Sequence, residues 1–258
     1  MRDFETITYE TNGGVSTLTI NRPQQFNGMT VRMLNETYEC LVEVAADPAV
    51  RILVMTGAGR AFCPGADLKG GSGGGPEDRD NKASYHVPRL LHEMPAVTVA
   101  AINGACAGAG FGWACGADVR VAAQSANFST AFLKVAVAGD MGLPWSLPRL
   151  VGAAKARELS FLCEKFSAEE GQRMGLVARV WPDETFRDET AKLIAFLAAQ
   201  APEALRTMKS HYVAAERTGF KEYLELETER HGRLVGSDDF REAARAFVEK
   251  RPPVFAPR

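Results

Sequence analysis

The chain has 258 residues, a formal net charge of −2 at pH 7, 46% hydrophobic residues and 24% charged ones. That length suits one large domain, or a domain with an appendage, around a sizeable core. The near-neutral balance, without a basic stripe, a polybasic run or an apolar stretch of spanning length, argues against nucleic-acid and membrane partners.

Residues 4–10 and 15–20 alternate apolar and polar side chains around Asn12-Gly13, which predicts a hairpin. Asn21-Arg22-Pro23 ends its second strand. Thr30 can cap a helix whose apolar positions are Val31, Leu34, Tyr38, Leu41, Val42 and Ala45, and Asp47-Pro48 ends it. The Ile-Leu-Val-Met run within residues 51–56 reads as a buried parallel strand. A glycine-rich loop follows, from Gly57 to Lys69, at a strand end where α/β architectures carry sites. It contains neither a P-loop nor a dinucleotide fingerprint. The polar insert from Gly70 to Asn81 is read as a mobile lid over a ligand, with a plain disordered loop as the alternative.

Residues 85–93 are expected to be helical despite Pro88, and Pro95 opens a buried strand over 96–102. Small residues from Gly104 to Gly108 then lead into a short helix around 113–117. Two readings of this stretch stand. Small residues and a helix start expose main-chain N–H groups that could hold a developing negative charge. Equally, the stretch is a tight strand-to-helix turn packed on other backbone.

A strand over 118–123 and a helix over 153–162 follow. Ser167-Ala168-Glu169-Glu170 is a capping box for a short helix ending at Met174-Gly175, and 176–181 is a further strand. Helices are then expected over 186–199, 202–217, 220–234 and 238–250, with no strand signal after Trp181. Their apolar positions, from Leu205, Met208 and Tyr212 to Leu224, Leu234, Phe240 and Phe247, exceed what one helical layer needs, which implies a subunit interface or self-packing. The element order suggests an α/β chain of stacked strand–strand–helix units, with a core over 1–199 and a helical region over 200–258. The five cysteines (Cys40, Cys63, Cys106, Cys115 and Cys163) are odd in number and lack C-x-x-C spacing. They read as reduced thiols of a cytoplasmic protein, and the absence of a signal-peptide pattern at Met1 to Glu5 agrees. Cys63 and Cys106 lie near the two glycine-rich loops, where a reactive thiol competes with the reading of a small apolar filler.

Several separate motifs now fall in order. Arg60-Ala61-Phe62-Cys63-Pro64-Gly65-Ala66-Asp67-Leu68 resembles the crotonase superfamily pattern of a Phe, a small pair, Gly-Ala-Asp and an aliphatic residue. Ile102-Asn103-Gly104 with Ala107-Gly108-Ala109-Gly110 resembles its second motif. Asn21-Arg22-Pro23, Leu147-Pro148-Arg149-Leu150-Val151-Gly152 and Ala246-Phe247-Val248-Glu249-Lys250-Arg251 match further ones. The resemblance, to the enoyl-CoA hydratase/isomerase or crotonase superfamily, runs from about residue 4 to the end.

The resemblance implies a crotonase-like spiral of strand–strand–helix units with a helical C-terminal trimerisation region, often a dimer of trimers. It implies an acyl-CoA substrate and no cofactor besides the coenzyme A that the substrate carries. By motif position, the backbone N–H groups of Ala66 and Ala109 would form the oxyanion hole for a thioester enolate. Ala66, Asp67 and Leu68 would meet the adenine through backbone groups. Gly108, Gly112 and Phe132 would border the acyl group, and Phe247 and Lys250 would approach the CoA of a neighbouring subunit; alone, Lys250 is a solvated charge beside Arg251.

Departures from the pattern narrow the chemistry. A hydratase of this superfamily uses two glutamates, and their positions here are Gly112 and Phe132, neither of which moves protons. Asp140 stands where some isomerases and the chlorobenzoyl-CoA dehalogenases place an aspartate. Its small and apolar neighbours would raise its pKa. It could be a base, a helix cap for 141–150, or both. Isomerisation of an enoyl-CoA by Asp140 is the favoured reading. The alternatives are an atypical hydratase, a dehalogenase or hydrolase using Asp140, and a non-catalytic acyl-CoA binder. Dehalogenases carry Trp where Phe132 stands, and His86 and His92 are poor matches for their histidine.

Overall fold

The computed structural model describes residues 3–68 and 82–255, so the insert read as a lid lies outside the described residues. Strands β1 (Ile7–Asn12) and β2 (Val15–Ile20) form the expected hairpin. Its two-residue turn is Gly13-Gly14, both at positive φ (59° and 81°), as a primed turn requires. Helix α1 (Val31–Ala46) starts at Thr30, whose hydroxyl accepts from Met33 N at 3.2 Å. Strand β3 (Ile52–Gly57) lies parallel to β2. Strand β4 (Ala61–Cys63), helix α2 (Val87–Glu93), strand β5 (Val97–Ile102), strand β6 (Ala105–Ala107) and helix α3 (Gly108–Gly116) follow. Then come β7 (Val119–Ala123), β8 (Asn127–Ser129), α4 (Leu143–Val151), α5 (Ala153–Leu162), β9 (Phe166–Ser167), α6 (Ala168–Arg173) and β10 (Arg179–Trp181). Four helices close the chain: α7 (Asp183–Ala198), α8 (Pro202–Ala215), α9 (Phe220–Val235) and α10 (Asp238–Glu249).

Two sheets result, one of order β1-β2-β3-β5-β7-β10 and a smaller one of order β4-β6-β8-β9. In three successive turns of the chain, a long strand feeds a short one and then a helical segment: β3 with β4, β5 with β6, β7 with β8. The chain is therefore the expected stack of strand–strand–helix units. The short strands correct one expectation: residues 105–107 are not a turn but a strand pairing with both β4 and β8. One face of the large sheet, with Leu18, Leu53 and Ala100, packs with α1 to α3 in the main core. The other, with Ile52, Val54, Val99 and Val121, packs on Phe186 and Ile194 of α7.

Two side-chain amides, buried Asn27 and half-buried Asn103, fix the junction between the sheets. Asn27 Nδ2 donates to Ala58 O at 2.9 Å and Ala61 O at 2.7 Å, while its Oδ1 accepts from Arg22 N at 2.9 Å. Asn103 Oδ1 accepts from Gly57 N at 3.1 Å, and its Nδ2 donates to Gly59 O at 3.0 Å. Gly104 is needed for the same approach, since a β-carbon there would lie 2.2 Å from Arg60 O. A buried lysine is among the groups that pin the helical end of the chain. Buried Lys209 of α8 donates to Asp118 Oδ2 at 2.8 Å, Leu91 O at 2.7 Å and Ala96 O at 2.8 Å. Beyond it, α9 packs on α8 and α10 on α9. No described residue of α9 is buried, and Phe220, Phe240, Phe247 and Val248 stand exposed.

Candidate active site

Loop 64–68 is laid against Met29 like one more strand. Met29 N donates to Gly65 O at 2.8 Å, and Asp67 N donates to Met29 O at 2.9 Å. In such a pairing alternate residues turn their main chain the other way, and that residue is Ala66. Its N–H donates to no group among the described residues. The loop is clamped by Arg22, whose guanidinium donates to Asp67 Oδ2 at 3.0 Å and to Gly28 O. Opposite lies the start of α3. Ala107, in the N-cap position, has no side chain that could cap, so the first N–H groups of the helix, Ala109 among them, have no helical acceptor.

Gly65 and Gly108 bring these two segments together. A β-carbon on Gly65 would lie 3.2 Å from Ala107 O and 3.7 Å from Gly108 Cα, and both residues have positive φ (102° and 52°). Ala66 and Ala109 each follow one of these abutting glycines. Helix α3 is buried over all nine of its residues, so its dipole acts with little solvent screening. The geometry can hold an anion between two main-chain donors at the positive end of a buried helix.

Gly108 and Gly112 lie four residues apart on one face of α3. The Phe132 ring covers the first, with Cε1 3.9 Å from a β-carbon built on Gly108, and Cδ2 3.9 Å from one built on Gly139. Met141 covers the second. A β-carbon on Gly112 would lie 2.5 Å from Met141 Cβ and 2.9 Å from Met141 O. The space a side chain at Gly112 would take is already filled by Met141, itself at φ 47°. Asp140 sits between these contacts. Its Oδ1 is buried without a hydrogen-bond partner, and desolvation raises its pKa. It also lies near enough to Cys63, which abuts Gly110, to push that thiol further up. Asp140 is not a helix cap. The N-cap residue of α4 is Gly142, no side chain caps that helix, and Asp140 contributes only its carbonyl, to Leu143 N at 3.0 Å.

The other expected residues divide. The Asp67 carboxylate is spent on Arg22, leaving main-chain groups to meet a ligand, and Leu68 is 63% exposed. Phe247 (85% exposed) and Lys250 (at φ 54°, past the end of α10) are not brought to the site within one chain. Cys63 and Cys106 are fully buried and their thiols are pushed up, Cys63 to about 12, so they pack as neutral fillers. His92 pairs with Glu216 at 2.9 Å and meets the edge of Trp145, and His86 is exposed. Sequence reading missed Met141, Asn27 and the clamp role of Arg22. Only the Asn21-Arg22-Pro23 motif and the run of small residues at 104–112 pointed toward them.

The family described as enoyl-CoA hydratase/isomerase matches residues 10–258. A Rhodobacter capsulatus protein named a probable enoyl-CoA hydratase is 38% identical over 257 residues, covering 99% of each chain. The 1,2-epoxyphenylacetyl-CoA isomerase of Escherichia coli is 38% identical over 259 residues, covering 98% of each. The crystal structure of enoyl-CoA hydratase from Bacillus anthracis aligns with a TM-score of 0.89 at 27% identity, covering 98% of this chain and 100% of that one.

Proposed function

The chain belongs to the enoyl-CoA hydratase/isomerase family, and on that premise we propose that it moves a double bond in an enoyl-CoA with Asp140 as its single acid/base. The thioester oxygen accepts from the N–H groups of Ala66 and Ala109. These bonds strengthen as negative charge develops, and so favour the enolate over the ground state. Asp140 removes a proton from one carbon and returns it at the other, which needs no water. The observation that carries this reading is the buried, unpartnered carboxylate oxygen of Asp140, beside a helix face where Gly112 is filled by Met141 and Phe132 replaces an acid. A raised pKa suits a base that must also give the proton back.

Assembly enters the same proposal. The exposed apolar face of α9 and α10 supports a homotrimer, or a dimer of trimers, in which Phe247 and Lys250 reach the CoA of a neighbouring copy. A ring-bearing acyl group is the second substrate class, favoured by the name of the Escherichia coli relative. The test mixes the protein with a 3-enoyl-CoA and a 2-enoyl-CoA and follows conjugation, Cα proton exchange and free CoA. Isomerisation and exchange that vanish in Asp140→Ala are expected. Binding without either would leave an acyl-CoA binder. Water addition would mean an atypical hydratase, release of CoA a hydrolase, and release of halide from a chlorobenzoyl-CoA supplied in a separate mixture a dehalogenase.

A further inference from the structure

Arg120 is a buried cation that the mechanism above does not use. It lies on β7 with 7% of its surface exposed, and its guanidinium closes the far end of α3. Its Nη1 donates to Ala117 O at 2.6 Å and Ala114 O at 3.5 Å, and its Nε to Leu176 O at 2.8 Å. Those first two carbonyls belong to the last turn of the helix whose first turn carries Ala109. The nearest acid, Asp118, is already matched by Lys209 at 2.8 Å, so the pair is neutral and Arg120 is the surplus charge.

We propose that Arg120 is a remote positioning residue for the oxyanion: its charge cancels the negative pole of α3 and leaves the positive pole, at Ala109, unopposed. Satisfying two carbonyls needs only N–H donors; a full charge in a buried position does more. At a rise of about 1.5 Å per residue, the eight residues from Ala109 to Ala117 put the cation about 12 Å or somewhat more from the donor. Over that distance, at an effective dielectric of about 20, one charge is worth about a five- to tenfold change in rate. The sign is favourable, because a cation anywhere along the axis stabilises the negative oxygen at its start. This rests on Ala109 donating to the thioester oxygen.

The experiment reads polarisation directly, as the carbonyl stretch of [1-13C]crotonyl-CoA in difference infrared spectra, together with the rate of Cγ proton exchange, the step that forms the dienolate. In the unaltered protein the band is expected at lower frequency than in solution. Arg120→Met should still bind the thioester, with the band moved back toward its free position and exchange slowed about five- to tenfold. Arg120→Lys should restore both. Should Arg120→Met fail to fold, Cys115→Asp decides: Cys115 is buried beside Arg120, and a carboxylate there neutralises the cation without removing it. It should behave as Arg120→Met, and Cys115→Ser as the unaltered protein. A band and a rate unmoved in Arg120→Met or Cys115→Asp, or a loss that Arg120→Lys fails to restore, overturns the proposal while leaving the oxyanion hole intact. A bound thioester whose band never moves, even in the unaltered protein, overturns the oxyanion hole and this inference with it.

Discussion

The loop around Gly65 and the start of α3 present main-chain N–H groups, whereas the turn from Gly139 to Met141 presents one side chain. The first region depends on backbone shape. Ala can stand at 66 and 109 because any residue compatible with that shape supplies a main-chain N–H, and the residue least able to change is Gly65, at φ 102° with a β-carbon 3.2 Å from Ala107 O. The second depends on side-chain identity, since in the proposed reaction the carboxylate at 140 moves the proton. On this proposal enolate stabilisation is common ground for many reactions, while the choice of reaction rests on Asp140, Gly112 and Phe132.

Breaking the side-chain half should have the largest effect. Asp140→Ala is expected to lower turnover by roughly 10²–10⁴-fold, the range of a general acid–base group, with acyl-CoA affinity measured by calorimetry little changed. Next comes the main-chain half. Ala109→Pro deletes one N–H in the first helical turn, where proline fits, and should cost about 10²–10³-fold in kcat without lowering Tm. A rate loss accompanied by unfolding would mean that the position serves structure instead.

Gly112→Glu tests where the halves meet. It should destabilise the protein by about 1–3 kcal/mol in urea unfolding, because Met141 must move, and it should not add water to crotonyl-CoA. The smallest effect concerns Asp140 and stability. Desolvation raises its folded pKa above the unfolded value, so the folded state holds the extra proton and stability falls as pH rises through that window. Asp140→Asn should therefore raise Tm at pH 7, and the gain should vanish below about pH 4, where the unfolded Asp is protonated too. The acid limb of kcat/KM should lie above the ordinary Asp value for the same reason.

Much of the framework was legible because its signals are local. The alternation about Asn12-Gly13, the Thr30 cap and the Ser167 capping box each act within a few residues, and each forms as read. The small sheet was not legible, since β4, β6, β8 and β9 have two or three residues each and no room for a period. The start of α4 misled for a related reason: Asp140 is a good capping type, but Gly142 at φ 66° turns the chain two residues later. The contact of Gly112 with Met141 lies between residues far apart in sequence, and only packing reveals that a missing side chain at one is the space used by the other.

Lys209 ties distant segments of the chain together. Its three acceptors come from Asp118, from Leu91 at the end of α2 and from Ala96 just before β5. In the folded chain the pairing of β5 with β7 holds them together, and the contact with Leu91 spans 118 residues of sequence. An ammonium group gives up its water only when such a set of oxygens is ready to replace it. The tail of the chain is therefore fastened to the core as a latch fastens a shut door. Without α8, the oxygens of Asp118, Leu91 and Ala96 would lose the ammonium that joins them.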